Sequence, residues 1–91
     1  MNIILRRITN NMYNADKDYI YLKEGNYKVF RNKYCIKHYY YDNLICYVDL
    51  EQKHFSLFNC GYKEFRLTTA QLNYLENFYK NKDYKLVYRG D

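Results

Sequence analysis

The chain contains no proline, no tryptophan and only three glycines among its 91 residues. It also lacks any apolar run of about 18 residues, the length that a helix needs to cross a bilayer. Hydrophobic residues nevertheless make up 48% of the chain and aromatic residues 21%, which is more buriable surface than disordered chains contain. The sequence therefore excludes collagen-like, low-complexity and disordered classes, and its length fits a single domain over residues 1–91.

Cysteine is too scarce and too scattered to predict a disulfide framework or a structural zinc site. Cys35, Cys46 and Cys60 form an odd count with no CxxC pair, which favours free thiols in a reducing compartment. The N-terminus lacks the basic-then-apolar order and the length of a secretory signal. We therefore expect a cytoplasmic protein that has no cofactor, no metal and no membrane contact.

Tyrosine, by contrast, is abundant, with fourteen residues. Residue types with A/T-rich codons (Phe, Tyr, Met, Ile, Asn and Lys) number 48 of 91, whereas Gly, Ala, Arg and Pro together number 10. This imbalance indicates an A/T-rich genome, which accounts for most of the tyrosine excess without any function. The functional signal therefore lies in where the tyrosines stand along the chain.

Positive charge is concentrated in the N-terminal half. The net charge is +5, and residues 1–41 carry all of it, because they hold eight Lys or Arg against three acids while residues 42–91 hold seven of each sign. The density is highest from Lys23 to Lys37. This asymmetry favours an anionic partner, such as nucleic acid or an acidic protein face. A soluble surface from a lysine-rich genome explains it equally well.

Period-two patterns predict a meander of short strands through the middle of the chain. In the third of these strands His38 and Tyr40 share one face, and Lys37 and Tyr39 share the other. The predicted strands span residues 19–22, 27–30, 34–41, 44–50 and 54–58, with a closing strand at 84–88. Residues 1–18 are predicted to form a short strand at 3–8 and a polar loop at 10–18.

One helix is predicted near residues 68–81. Thr68 and Gln71 have the spacing of a capping box, and Leu72, Leu75, Phe78 and Tyr79 follow as an apolar stripe. A stripe at this spacing is typical of a core-facing helix. The fold class expected is therefore α+β, with a small antiparallel meander of about five to six strands packed against one C-terminal helix.

No pair of residues predicts catalysis. His38 and His54 fall on different strands, with no carboxylate at an informative spacing. A meander can bring either histidine beside Cys46 or Cys60, as a catalytic pair or as part of a metal site, but two ordinary sheet histidines explain the pattern more simply. Since P-loop, GxGxxG and nuclease-like carboxylate motifs are also absent from the sequence, we expect a non-enzymatic protein with no catalytic residue.

A mixture of basic and aromatic residues between Lys23 and Tyr41 is the strongest candidate site. Lys and Arg neutralise phosphates, and exposed tyrosines stack on unpaired bases. Tyr and Arg are also enriched at protein–protein hot spots, so the same residues suit a protein partner. The candidate partner-binding residues, expected on one basic, tyrosine-rich sheet face, are Lys28, Arg31, Lys33, Lys37, Tyr39 and Tyr41.

Residues 41–50 read YDNLICYVDL, followed by a Gly-Tyr pair at 61–62 and a Thr-Thr pair at 68–69. This series resembles a strand pair, a turn and a helix start shared by small phage and mobile-element proteins of low-GC bacteria. Asn43 and Cys46 stand where that pattern has Thr and Ala. The resemblance implies a phage or prophage accessory gene, and such genes often encode inhibitors of host defence, including anti-CRISPR proteins.

Two functions are therefore expected. The first is a non-enzymatic, phage-encoded inhibitor of a bacterial defence system, namely an anti-CRISPR protein that sterically blocks a nuclease effector, alone or with its RNA or DNA, in the host cytoplasm. A net charge of +5 argues against DNA mimicry, which needs an acidic surface. The alternative is a small nucleic-acid-binding accessory or regulatory protein. A homodimer paired through a sheet edge is a third, structural interpretation.

Overall fold

The residues that the structure describes form a six-stranded sheet and two helices. The computed structural model describes residues 3–15, 19–59 and 62–90. The elements are α1 (Ile3–Tyr13), β1 (Tyr19–Glu24), β2 (Tyr27–Asn32), β3 (Cys35–Tyr40), β4 (Asn43–Asp49), β5 (His54–Leu57), a 3-10 turn (Lys63–Phe65), α2 (Thr69–Lys80) and β6 (Lys85–Arg89). The expected α+β class and the C-terminal helix are confirmed.

The strands lie in the sheet in the order in which they occur in the chain. β1 to β5 pair antiparallel, as the meander predicts. β6 pairs with β5 in parallel, because α2 carries the chain back along the sheet before the last strand begins. The closing strand is therefore present, but it makes the sheet mixed rather than wholly antiparallel.

Both helices pack on the same face of the sheet. This face is filled by alternate residues of each strand, because successive side chains of a strand point to opposite faces. The buried cluster joins helix residues Leu5, Ile8, Met12, Leu72, Leu75 and Tyr79 to strand residues Val29, Ile36, Cys46, Val48, Phe55 and Leu57. We call this the covered face.

The N-terminal segment is a helix, so the predicted strand at 3–8 and the start of the predicted loop are wrong. Leu5, Ile8 and Met12 stand at helical spacing, and all three are buried. The β-branched isoleucines of this segment favour a strand by propensity, but packing of the apolar stripe onto β1 and β2 outweighs that preference. Residues 16–18 of the predicted loop lie outside the described residues.

α2 begins with the predicted capping box. The Thr68 hydroxyl accepts from the Gln71 backbone N–H at 3.2 Å, and the Gln71 side-chain oxygen accepts from the Thr68 backbone N–H at 2.8 Å. The Gln71 amide also donates to the Tyr27 hydroxyl at 2.9 Å, which ties the start of α2 to β2. The cap thus pairs N–H groups that the helix itself leaves unsatisfied.

Thr68→Ala is expected to lower the free energy of unfolding by about 1 kcal/mol, because it removes the acceptor for the Gln71 N–H. Thr69→Ala is the matched control, since Thr69 is exposed and stands one position inside the helix. Urea denaturation of both variants measures the difference. Equal stabilities for the two variants would contradict the role assigned to the cap.

Candidate functional site

The face of the sheet opposite the helices carries a continuous row of side chains across all six strands. We call this face the open face, because the two described helices pack on the other side. The register between neighbouring strands aligns one residue from each, and these residues form what we call the central row. The central row is Tyr21 (β1), Phe30 (β2), Lys37 (β3), Tyr47 (β4), Ser56 (β5) and Tyr88 (β6).

The rings of the central row remain accessible to solvent. Tyr21 is 53% exposed, Tyr47 37% and Tyr88 54%, although each of these rings belongs to a regular strand. Phe30 is half-buried and packs edge-to-face on Tyr19, with 5.0 Å between the ring centroids. Exposed aromatic rings in a folded sheet leave apolar surface in water, so this arrangement favours a partner that covers it.

A second line of side chains runs beside the central row. This flanking row consists of Lys23, Lys28, Tyr39 and Leu44, which are cross-strand neighbours from β1 to β4. Lys28 forms an ion pair with Asp42, and the hydrogen bond between them raises the pKa of Lys28 and lowers the pKa of Asp42. Because both groups are solvent-exposed, this pair contributes little to stability.

Lysines make the open face positive. Lys23, Lys28, Lys37 and Lys85 all occupy it, against the carboxylates of Asp49 within the strands and of Asp42, which is paired with Lys28. Asp49 is engaged locally, because its Oδ1 accepts from the backbone N–H groups of the turn that follows β4. The charge available to a partner is therefore cationic, and it is interleaved with rings.

Three of the six predicted partner-binding residues lie together on the open face. Lys37 belongs to the central row, and Lys28 and Tyr39 are adjacent to each other in the flanking row. Their positions follow the predicted alternation of β3, which places His38 and Tyr40 on the covered face. These three residues are the part of the predicted site that the structure brings together.

Arg31 lies on the covered face, which corrects its predicted place beside Lys28. Its Nη1 donates to the backbone carbonyls of Met12 at 3.1 Å and Tyr13 at 2.6 Å, at the C-terminus of α1. Its Nε is buried with no hydrogen-bond partner among the described residues. Lys28 and Arg31 are three positions apart in β2, so their side chains point to opposite faces of the sheet.

Lys33 and Tyr41 lie in the turns at the two ends of β3, beyond the paired strand positions. The Lys33 ammonium stands 5.0 Å from the ring centroid of Tyr34. Tyr41 occupies a left-handed backbone conformation with φ of 49°, and its ring packs 4.9 Å from that of Phe65. The predicted strand thus ends one residue earlier, and neither residue belongs to the open face.

Sequence reasoning did not select the four rings of the central row. Phe30 lies inside the basic and aromatic region from Lys23 to Tyr41 and Tyr21 lies just before it, but Tyr47 and Tyr88 stand in the half of the chain whose charge is balanced. The alternation of side chains within each strand was a local signal for the face on which its ring lies. What unites the four rings is the register between strands, which depends on turn lengths and on the irregular pairing of β5 with β6.

A histidine and a cysteine do meet inside the sheet, on the covered face. His38 is the cross-strand partner of Cys46, and its Nε2 lies 2.6 Å from the Tyr79 hydroxyl. All three side chains are buried. Burial lowers the pKa of His38 to about 3 and raises the pKa of the Cys46 thiol, opposite to the shifts that activate a cysteine nucleophile. Cys60 lies outside the described residues.

The open face is thus the surface of the sheet that combines exposed aromatic rings with lysines. Within that part, no group of three His, Cys, Asp or Glu side chains could hold a metal ion. The described helices are also too short or too polar to cross a membrane. Comparisons of the chain with protein-family models, curated proteins and solved structures found no match.

Proposed function

We propose that the protein is a non-enzymatic binding protein that takes unpaired nucleic acid onto its open face. The observation that carries this proposal is the central row, which places the exposed ring of Tyr47 and the half-buried ring of Phe30 on either side of Lys37. Stacking of a base on an aromatic side chain is worth about 1–3 kcal/mol, and every base offers a ring face. Lys37 between two of the rings and Lys23 beside the row can neutralise the phosphates that connect those bases.

The arrangement suits unpaired bases because the rings stand on a sheet whose other face is covered by helices. Sheets that bind RNA single strands present aromatic residues in the same way, and two or three bases stack on them. Binding of this kind reads ring faces rather than base edges, so it requires little sequence preference. The protein then acts as a carrier, protector or regulator of exposed single strands.

Lys37→Gln is expected to weaken binding of a labelled oligothymidylate and to make its salt dependence shallower. Each phosphate contact on a single strand contributes about 0.7 to the slope of log K against log salt, so the loss of one lysine lowers the slope by about that amount. Lys33→Gln removes the same charge from a turn outside the open face and serves as the matched control. Fluorescence anisotropy across a salt series measures both variants.

The proposal fails if the two lysine variants lose affinity equally, because the open face would then have no special role. It also fails if the wild-type protein binds no single strand even at low salt, where electrostatic contacts are strongest. Thermal unfolding of both variants establishes that any difference in binding comes from the surface and not from the fold.

A second function is favoured by the balance between rings and charges on the open face. The central row has four aromatic residues and one lysine, and one of the six predicted basic and aromatic residues, Arg31, is committed to α1. Tyrosine-rich surfaces of this kind are typical protein-binding hot spots. With the phage-protein resemblance, this favours an inhibitor of a host-defence nuclease, of anti-CRISPR type, that docks sterically in the host cytoplasm.

The two functions give opposite results with purified components. An inhibitor binds a guide-loaded nuclease effector and blocks cleavage, but it does not bind free oligonucleotides. A nucleic-acid-binding protein binds the oligonucleotides and affects the nuclease only by competing for its substrate. Tyr47→Ala, at the centre of the row, reduces whichever interaction is real, because Tyr47 is 37% exposed on the open face.

A further inference from the structure

The central row reaches from one edge of the sheet to the other. Tyr21 stands on β1 and Tyr88 on β6, and these are the two edge strands of the described sheet. The residues between them are aligned by direct cross-strand pairing, so the row runs perpendicular to the strands. Five steps of about 4.8 Å between neighbouring strands give it a length of about 24 Å.

We infer that a nucleic-acid single strand crosses the sheet along the central row, perpendicular to the β strands, and occupies the whole distance from Tyr21 to Tyr88. This inference rests on the proposed function and specifies how the ligand lies. The rings at the two edges hold the ends of the bound segment, and Phe30 and Tyr47 hold bases near its middle. Lys37 stands between the two middle rings, where it meets a phosphate.

The length of the row sets the size of the bound segment. At the duplex rise of about 3.4 Å per nucleotide, a distance of about 24 Å holds about seven nucleotides. An extended strand covers the same distance with fewer, so the site takes about four to seven nucleotides, within the range known for small single-strand binding domains.

The flanking row offers a poorer path. It extends only from β1 to β4 and ends at Leu44, an aliphatic residue that has no ring to stack on a base. Tyr39 is its one aromatic residue, and Lys28 is already paired with Asp42. The central row has four rings over six strands, so it supplies more of the stacking that binds a single strand. Lys23 then assists from the side, as a contact to a phosphate.

The twist of the sheet makes this path selective for single strands over duplexes. Neighbouring strands rotate by about 20–25° relative to one another about an axis that runs along the row, so the direction in which its side chains point rotates by on the order of 100° from β1 to β6. A flexible single strand can turn its bases to follow these directions. In a duplex the bases are already stacked on one another, so they offer no free face to the rings of the row.

The test uses oligothymidylates of about three, seven and twelve nucleotides with the full chain and three tyrosine variants. Tyr21→Ala and Tyr88→Ala each remove a ring at one end of the row, and Tyr62→Ala removes an exposed ring outside the sheet as the control. We expect wild-type affinity to rise up to about seven nucleotides and then to level off. A duplex of about twelve base pairs binds at least tenfold more weakly than the single strand.

The variants report where the strand lies. Either edge variant lowers the affinity for the longer oligonucleotides about tenfold, because one stacked base is lost. The same variants bind the shortest oligonucleotide within about twofold of wild type, since a short strand can use the remaining rings. Tyr62→Ala behaves as wild type at every length, because its ring, although 75% exposed, is not in the row.

Two kinds of failure can be told apart. If the wild type binds single strands but the edge variants do so equally well, or if affinity levels off at about three nucleotides, the crossing path is wrong and the proposed function stands. Equal affinity for duplex and single strand also overturns the path. If no oligonucleotide binds the wild type, the proposed function itself is wrong and the inference falls with it.

Discussion

Replacing Arg31 with glutamate is expected to remove much of the protein's stability, whereas replacing Lys37 with glutamate leaves the stability nearly unchanged. Arg31 donates to the Met12 and Tyr13 carbonyls at the end of α1, a helix whose last turn has no basic residue of its own. A positive charge at that position interacts favourably with the negative end of the helix dipole. Arg31 therefore supplies, from β2, the charge and the donors that α1 lacks.

Glutamate at position 31 reverses each of these interactions. Its carboxylate faces two carbonyl oxygens instead of donating to them, in a place where the Nε of Arg31 is already shielded from water. Leaving an uncompensated charge in a fully buried site costs about 3–5 kcal/mol, which is the upper bound for this partly buried position. Small domains have only about 5–15 kcal/mol of stability, so a loss of this size removes much of it.

The measurement is urea denaturation followed by circular dichroism, with Lys37→Glu as the matched charge reversal on the open face. Surface substitutions of that kind change stability by no more than about 0.5 kcal/mol. Arg31→Met retains most of the aliphatic stem and loses only the charge and the donors, so it should fall between the two. An Arg31→Glu variant as stable as Lys37→Glu would show that α1 does not depend on this contact.

The sequence predicts the strands well because their signal is local. Alternation places His38 on one face and Lys37 on the other, and the capping box at Thr68 marks the start of α2. The helix at the N-terminus escapes prediction because its stripe of Leu5, Ile8 and Met12 is short and lies among isoleucines and asparagines. This segment becomes a helix because it packs against β1 and β2, and contacts with other elements cannot be read from a local sequence pattern.

The candidate site was predicted only in part, for a different physical reason. Alternation separates Lys28 from Arg31, but the sequence does not tell which face the helices cover. The central row depends in addition on the register of five strand pairs. Tyr21 and Tyr88 are 67 positions apart in the chain and become ends of one row only when the whole sheet is assembled. The density of charge along the chain therefore identifies the region that contains part of the site, but it does not identify the surface on which the site lies.

Acid is expected to destabilise the protein through His38 at pH values where its carboxylates are still charged. His38 is 1% exposed, and its Nδ1 has no hydrogen-bond partner among the described residues. The Tyr79 hydroxyl lies at its Nε2 and Cys46 is its cross-strand neighbour, and among the described residues no carboxylate offsets the effect of burial on His38. Burial therefore lowers the pKa of His38 to about 3.

The direction of the pH effect on stability follows from the number of protons that the folded and unfolded states bind. In the unfolded chain the histidine has a pKa of about 6.5, so below that pH the unfolded state takes up a proton that the folded state does not bind until about pH 3. The free energy of unfolding therefore falls by about 1.4 kcal/mol per pH unit between these values, which amounts to about 2 kcal/mol at about pH 5 relative to about pH 7.5.

His38→Gln should abolish this dependence, because glutamine does not titrate, and His54→Gln should retain it, because His54 is exposed at the surface. Urea denaturation at about pH 7.5, 6 and 5 compares the slopes rather than the absolute stabilities, so a general loss of stability on changing a buried residue does not obscure the result. Asp42 and Glu76 have lowered pKa values, and their contributions are lost only at lower pH. A wild-type slope in His38→Gln would show that another group controls the acid sensitivity.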